Sequence, residues 1–398
     1  MPRRLLFLAH RIPYPPDKGE KIRAWHILEH LAKRCLVDLG CLVDDARDLN
    51  HLPILQRTCA EVQAVPVGRR VSAALRTLLR ARPGAPLSQG WFHHPRLARW
   101  VEHGMRSGRW DAAFVYSSAM APYLLRATRL FRILDMVDVD SAKWAAYAAN
   151  ARGLMRQIWQ REARTLFALE RLAAARFDRT LFVSEAEAKH FVSLAAEAAG
   201  RVDWVENGVD LVRFDPSLPW PTPYPEATRP IVFTGTMNYR PNIEAVAWFA
   251  EAVLPSVRTR FERAEFWIVG ANPAPAVAAL ARRPGVHVTG TVADVRPYLA
   301  HASVAVAPLF IARGIQNKVL EAMAMARAVV ASPPAFEGVR ATPGRDLLVA
   351  EGAEATAAAV ISVLDGRYPE LGLCAREAVR ANHDWHATLS RLDALLPW

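Results

Sequence analysis

Short apolar runs alternate with helical segments along almost the whole chain, and this alternation constrains the fold more than any other feature. Runs of strand length occur at 5–9, 37–43, 62–67, 112–116, 133–135, 180–184 and 202–206. Helical stretches lie between them, one at about 22–34 and the longest at about 154–177. A second series of runs follows at 231–234, 266–269, 286–289, 304–307, 329–331 and 347–349. Apolar strands separated by helices imply an α/β fold with parallel sheets covered on both faces. The two series are parted by FDPSLPWPTPYPEATRP, residues 214–230, which carries six prolines in seventeen residues. Proline fixes φ and blocks both helix and central strand. The chain therefore reads as an N-terminal domain over 1–213, a semi-rigid exposed linker over 214–230 and a C-terminal domain over 231–381. A last helix, 382–398, is expected to pack back toward the first domain. With 398 residues, 52% of them hydrophobic and 22% charged, the chain can fill two globular cores.

Three strands of the second series end at glycine: Gly235, Gly270 and Gly290. Open α/β sheets bind ligands beyond the carboxyl ends of their strands, and glycine there lets a ligand approach the backbone. Taken singly, each glycine is equally an ordinary βα turn. The densest segment is 303–332, SVAVAPLFIARGIQNKVLEAMAMARAVVAS. It reads as strand, loop centred on Gly314, helix and second strand. From Arg313 to Glu321 it brings together a cation, a glycine, a helix start and a carboxylate. Amides at a helix start attract phosphate, and Glu321, one turn further in, can accept hydrogen bonds from a sugar diol. The combination suits a nucleotide diphosphate. The plainer alternative is a turn glycine followed by a solvated glutamate. No GxGxxG, GxxxxGK[ST] or GxSxG pattern is present, which sets aside dehydrogenase, P-loop and α/β-hydrolase readings.

The net charge of +11 calls for an anionic partner: nucleic acid, a membrane surface or a phosphorylated substrate. The excess is local. Residues 62–101 hold seven arginines and no acidic residue. Within them, Val71, Ala74, Leu75, Leu78 and Leu79 have helical spacing, with Arg69, Arg76 and Arg80 off that stripe. Such a helix can lie on an anionic leaflet or pack on a core with a solvated arginine face. The patch lacks aromatic interleaving and known DNA-reading spacings, so nucleic acid fits least. Cys35, Cys41, Cys59 and Cys374 show no metal spacing and read as free thiols. His383 and His386 read as structural. No apolar run approaches membrane-spanning length, and MPRRLLFLAH is too short in apolar residues for a signal h-region. A cytoplasmic protein is expected.

Several phrases in this chain resemble the GT-B glycosyltransferases, and within them the retaining family-four branch. Leu320-Glu321-Ala322-Met323-Ala324 stands as the branch's LEAMA helix after a phosphate-binding loop. VENGVDLVRF (205–214) resembles its hinge signature, FVSEAEA (182–188) its preceding strand–turn–helix, and VTGTVADVRPYLAHASVAVAPL (288–309) its base-holding segment. RIPYPPDKGEKIR, DMVDVDSAKW, FTGTMNYRPN and ARGIQNKVLEAMA resemble sugar transferases associated with exosortase (PEP-CTERM) sorting and exopolysaccharide clusters. The resemblance implies two Rossmann-like doubly wound domains facing a cleft. It implies a metal-independent hexosyltransferase-type enzyme that takes a UDP- or GDP-sugar to a glycan or lipid-linked acceptor with retention. No cofactor beyond the donor is implied. A nucleotide-sugar 2-epimerase or a non-catalytic nucleotide-sugar-binding protein are the alternatives.

The resemblance also assigns residues. Gly235, Arg240, Gly270, Thr291, Gly314, Ile315, Gln316, Asn317, Lys318 and Glu321 fall on the donor side. Gly19, opening the first helix, would let its loop approach the donor phosphate. By their own charge rather than by the resemblance, Arg313 and Lys318 would replace the missing cation and oppose charge on the leaving diphosphate. Asp138, with Asp135 and Asp140 in DMVDVDS, follows a strand and would position or deprotonate the acceptor hydroxyl. The alternative for these carboxylates is capping of a turn and a helix. Two departures stand out. The family's Glu-x7-Glu begins here with Arg313, and Met237–Asn242 offers one Arg and no Lys where the family has both.

Overall fold

The computed structural model describes residues 2–16, 19–67, 84–149, 151–312 and 314–398. The chain divides into two compact units. The first comprises Met1–Glu206 and Leu389–Trp398, the second Asn207–Thr388.

The first unit is built on seven parallel strands in the order β3-β2-β1-β4-β5-β6-β7. These are β1 (Arg4–Ala9), β2 (Leu36–Val43), β3 (Glu61–Pro66), β4 (Ala112–Tyr116), β5 (Phe131–Val137), β6 (Arg179–Phe182) and β7 (Val202–Trp204). Central β1 and β4 are apolar on both faces and almost fully buried, as a helix-covered parallel sheet requires. Helix α1 (Gly19–Ala32) follows β1, and α2 (Asp140–Ala149) and α3 (Gly153–Arg176) form a helical hairpin after β5. The last ten residues complete this unit. His30 Nε2 lies 2.8 Å from Asp393 Oδ1, and Arg391 donates to Asp203 at 2.7 Å.

The second unit has six parallel strands in the order β10-β9-β8-β11-β12-β13. They are β8 (Arg229–Thr234), β9 (Ala264–Val269), β10 (Val286–Gly290), β11 (Val304–Ala307), β12 (Val329–Ala331) and β13 (Leu348–Val349). Helix α4 (Arg240–Trp248) follows β8, and α5 (Asn317–Ala324) follows β11. Both units are thus Rossmann-like, and the α/β, parallel-sheet architecture expected from the sequence is what the chain adopts.

The segment read as an exposed linker lies within the second unit. Phe214 joins its core, Trp220 Nε1 donates to Asp215 O at 2.8 Å, and the Tyr224 hydroxyl donates to Tyr298 O at 2.6 Å. Prolines keep 214–228 out of helix and sheet, Pro230 entering β8, and the aromatic residues between them fasten the segment to the unit's surface. The first unit ends at Glu206 rather than 213 because Val209 pairs in parallel with Asp384, its amide donating to His383 O at 2.7 Å. The basic stretch around Arg69, Arg76 and Arg80 and the residue Arg313 lie outside the described residues. Among the described residues, no helix is long and apolar enough to cross a membrane.

Candidate functional site

In the second unit, the carboxyl ends of β8 and β9 and the start of α5 form one polar cluster. Gly270 is fixed by close approach: a Cβ there would lie 1.7 Å from Gly235 O. A Cβ on Gly235 would lie 2.8 Å from Asn242 Nδ2 and 3.5 Å from Lys318 Cε. Asn242 is buried and works in two directions. Its Nδ2 donates to Thr236 O at 2.9 Å, and its Oδ1 accepts from Lys318 Nζ at 2.7 Å. The ammonium also stands 4.6 Å over the Phe233 ring. Burial lowers the Lys318 pKa to about 8, although Glu321 pulls it upward.

Helix α5 is amphipathic by design of its sequence. Val319, Leu320, Ala322, Met323 and Ala324 enter the core, which leaves Lys318 and Glu321 half-buried on the other side. Its N-cap, Gln316, makes no capping bond to the helix; its side chain donates instead to Gly314 O at 3.1 Å. Gly314 has φ 65, a left-handed turn that favours glycine. Ile315 anchors the loop in the core beside Gly338. Asn317 Oδ1 is buried at the helix start with no hydrogen-bond partner in the protein. Burial pushes the Glu321 carboxyl up to about 7, with Arg213 and Lys318 holding it lower than burial alone would. A cation, a helix start and a proton-poised carboxylate within one turn can hold phosphate oxygens and sugar hydroxyls.

The structure thus brings together Gly235, Gly270, Gly314, Ile315, Gln316, Asn317, Lys318 and Glu321. Two further expected donor residues lie on neighbouring elements of the same unit. Arg240 is exposed and pairs with Glu244 at 2.8 Å, one turn along α4. Thr291 is exposed just past β10, the edge strand. Gly19 opens α1 in the first unit and is exposed. Sequence reasoning missed Asn242 and Arg213. Asn242 lay in a quoted phrase, but nothing in its spacing tied it to Lys318.

The first unit has its own polar cluster beyond β4 and β5. Asp138 and Asp140 share Lys143, whose Nζ lies 2.7 and 3.1 Å from their carboxylates. Burial alone would lower the Lys143 pKa, but the two carboxylates outweigh it and raise it. The Asp138–Asp140 loop is pinned on every side. Val137 N donates to Asp135 Oδ1 at 3.0 Å, Val139 N to Glu187 at 3.0 Å and Ser141 N to Glu170 at 3.1 Å. Val137 has φ 68, a conformation β-branched residues rarely take, and the loop bonds hold it there. Asp135 is buried against Arg23 at 2.8 Å, and Arg23 also donates to Val205 O. Asp135 therefore accepts from a turn, as the capping alternative proposed, and Asp140 is the first residue of α2. Behind the loop, His10 lies between Phe92 and Tyr116, and burial with the nearby Arg11 cation lowers its pKa to about 4. Lys143, Arg23 and His10 were not anticipated, though the i,i+3 spacing of Asp140 and Lys143 is visible in the sequence. His383 is fully buried and accepts from Arg340 N at 2.9 Å, a structural role.

The segment that carries the Lys318–Glu321 cluster has known relatives. Residues 228–366 match the family described as glycosyl transferases group 1. No curated protein matches the chain by sequence. Among solved structures, the chain is similar to sucrose-phosphate synthase from Thermosynechococcus elongatus, with a TM-score of 0.72, 17% identity and 99% and 98% of the two chains covered. It is similar to WaaG, a glycosyltransferase involved in lipopolysaccharide biosynthesis (TM-score 0.68, 14% identity, 99% and 100% covered). It is also similar to Anabaena Alr3699/HepE in complex with UDP and glucose (TM-score 0.66, 13% identity, 99% of each chain covered). At these identities the likeness shows the fold, which is the GT-B glycosyltransferase fold over the whole chain.

Proposed function

We propose that this protein transfers a sugar from a nucleotide-diphosphate donor to an acceptor hydroxyl. The observation that carries the reading is the Lys318–Asn242–Glu321 cluster at the start of α5, inside the segment matching group 1 glycosyl transferases. In the reaction the bond from the anomeric carbon to the diphosphate oxygen breaks, and its electron pair stays on the diphosphate. A bond forms from the acceptor oxygen to that carbon. Lys318 and the α5 amides oppose the charge gained by the leaving group. Arg313 adds a second cation by its place in the sequence. Glu321 accepts from the ribose hydroxyls. Asp138, ion-paired with Lys143, receives or orients the proton of the acceptor hydroxyl.

A UDP-sugar is favoured as donor by the UDP and glucose bound in the Anabaena structure. Retention, a hexosyl donor, an exopolysaccharide or exosortase-linked role and a cytoplasmic location rest on the sequence resemblance. The test is incubation with radiolabelled UDP- and GDP-sugars, with and without glycan and lipid-linked acceptors. The anomeric configuration of any product is then read by NMR. Glycoside formation with retention is the expected result. An isomerised donor formed without acceptor would make the protein an epimerase, and tight binding without turnover would make it a binding protein.

A further inference from the structure

The α2–α3 hairpin of the first unit carries a surface that sugar transfer does not use. From Ser141 to Arg161 the sequence has no Asp or Glu, but it has Lys143, Arg152, Arg156 and Arg161. Lys143 is engaged by Asp138 and Asp140, and Arg161 donates to Ala85 O at 3.1 Å. Arg152 and Arg156 flank the hairpin tip, and both are exposed. Among the described residues neither has an acidic partner. Between and beside them Leu154 is 71% exposed, Met155 46% and Tyr147 40%. Tyr147 links Trp144 and Trp159 through ring contacts of 6.0 and 5.8 Å, which gives the tip an aromatic floor. Ala145, Ala146 and Ala149 are exposed around it.

Single exposed apolar side chains are ordinary. Exposed alkyl and aromatic side chains grouped at one hairpin end and flanked by two exposed arginines and no described acidic partner are different. Such a group matches a lipid–water interface, where apolar groups enter the headgroup layer and guanidinium groups meet lipid phosphates. We propose that the α2–α3 tip docks this protein on an anionic phospholipid surface. Leu154, Met155 and Tyr147 insert among the headgroups, and Arg152 and Arg156 bind the lipid phosphates. Charge selects this occupant over a second copy of the chain, because a symmetric self-contact would set the same arginines against each other. Helix α2 starts at Asp140 and has ten residues. The tip therefore lies about 15 Å along the helix from the Asp138–Lys143 cluster. A lipid-linked hydroxyl anchored at the tip would come within reach of that cluster. This last step rests on the glycosyl-transfer reading; the docking itself does not.

The test is flotation of the full chain with phosphatidylglycerol–phosphatidylcholine vesicles and with phosphatidylcholine alone, at low and high salt. Binding to the anionic vesicles, weakened by salt, is expected. Leu154→Ser with Met155→Ser should lower the partition coefficient by about tenfold or more. Arg152→Gln with Arg156→Gln should lower it by about thirtyfold. Both double variants should keep the wild-type melting temperature and UDP affinity. If the protein binds vesicles as described but no nucleotide, the docking stands and the glycosyl-transfer reading falls. Three outcomes overturn the docking. The wild type ignores anionic vesicles. The double variants bind like wild type while replacing Arg69, Arg70, Arg76 and Arg80 by Gln abolishes binding. Or the tip variants abolish a concentration-dependent self-association seen without lipid, which would make the face a contact between copies.

Discussion

Lys318→Met is the sharpest challenge to the proposed donor site. The wild-type ammonium is fixed by Asn242 Oδ1 at 2.7 Å and by the Phe233 ring at 4.6 Å. Methionine keeps the stem against Phe233 and removes only the charge and its donors. Losing a charge-assisted hydrogen bond to a diphosphate costs about 1.5–3 kcal/mol, or about ten- to 150-fold in Kd. The depressed pKa adds a second signature. Burial brings Lys318 to about 8, so the group is mostly charged at pH 7 and mostly neutral at pH 9. Only the charged form binds phosphate strongly, so wild-type affinity for UDP-glucose should fall about tenfold across that interval. The diphosphate diester itself has no ionisation there. Isothermal titration from pH 6.5 to 9.5 with UDP-glucose and with uridine separates the contributions. The variant should bind UDP-glucose weakly and lack the wild-type fall between pH 8 and 9. Uridine affinity should be insensitive to the mutation at each pH, its own pH dependence being set by Glu321 near 7 and by the uracil N3 proton. The absence of a wild-type fall between pH 8 and 9 beyond that seen with uridine, or its survival in Lys318→Met, would refute the assignment of Lys318 to the diphosphate.

Glu321→Gln should behave oppositely in stability and in binding. The folded carboxyl titrates near 7 against an ordinary 4.5, so its stabilising contribution is complete below 4.5 and is lost as pH rises through 7. The glutamine variant should therefore gain on wild type between those pH values in urea unfolding, yet bind uridine nucleotides about tenfold more weakly at pH 8. Gly270→Ala places a Cβ 1.7 Å from Gly235 O, backbone against backbone, and should lower stability by roughly 2–4 kcal/mol in the same assay. Glu170 is fully buried with Ser141 Oγ at 2.5 Å, and burial pushes its pKa up to about 8. Glu170→Gln should be within about 1 kcal/mol of wild type below pH 4.5, and should gain on it as pH rises from 4.5 to about 8, the range in which the wild type loses stability.

The strands were legible because each is a short apolar run closed by glycine or a polar turn, and both sheets hold the strands the pattern marks. The α5 cluster was legible as a cluster too, since Gly314, Lys318 and Glu321 lie within one loop and one helical turn, where sequence spacing is spatial spacing. Partners brought in by the sheet were not. Asn242 meets Lys318 from 76 positions away and Arg23 meets Asp135 from 112, and no local pattern encodes such pairs. Arg240, expected at the donor phosphate by its place after β8, pairs here with Glu244, the carboxylate one helical turn on. In the proline-rich segment the prolines say only what the backbone cannot be. Where it lies is decided by Phe214, Trp220 and Tyr224, whose partners are distant in sequence.

The first unit is written in two pieces, Met1–Glu206 and Leu389–Trp398, with the whole second unit spelled out between them. During synthesis it must wait for its final residues before His30, Arg34 and Asp203 meet Asp393 and Arg391. At ribosomal speeds that delay is roughly 10–40 s, long enough for the inserted unit to fold first. A gene fragment ending at residue 206 would therefore yield an unfinished domain with an uncovered flank. A fragment covering 207–388 would be a contiguous foldable unit. Limited proteolysis and expression trials that cut the gene at these points should show this asymmetry.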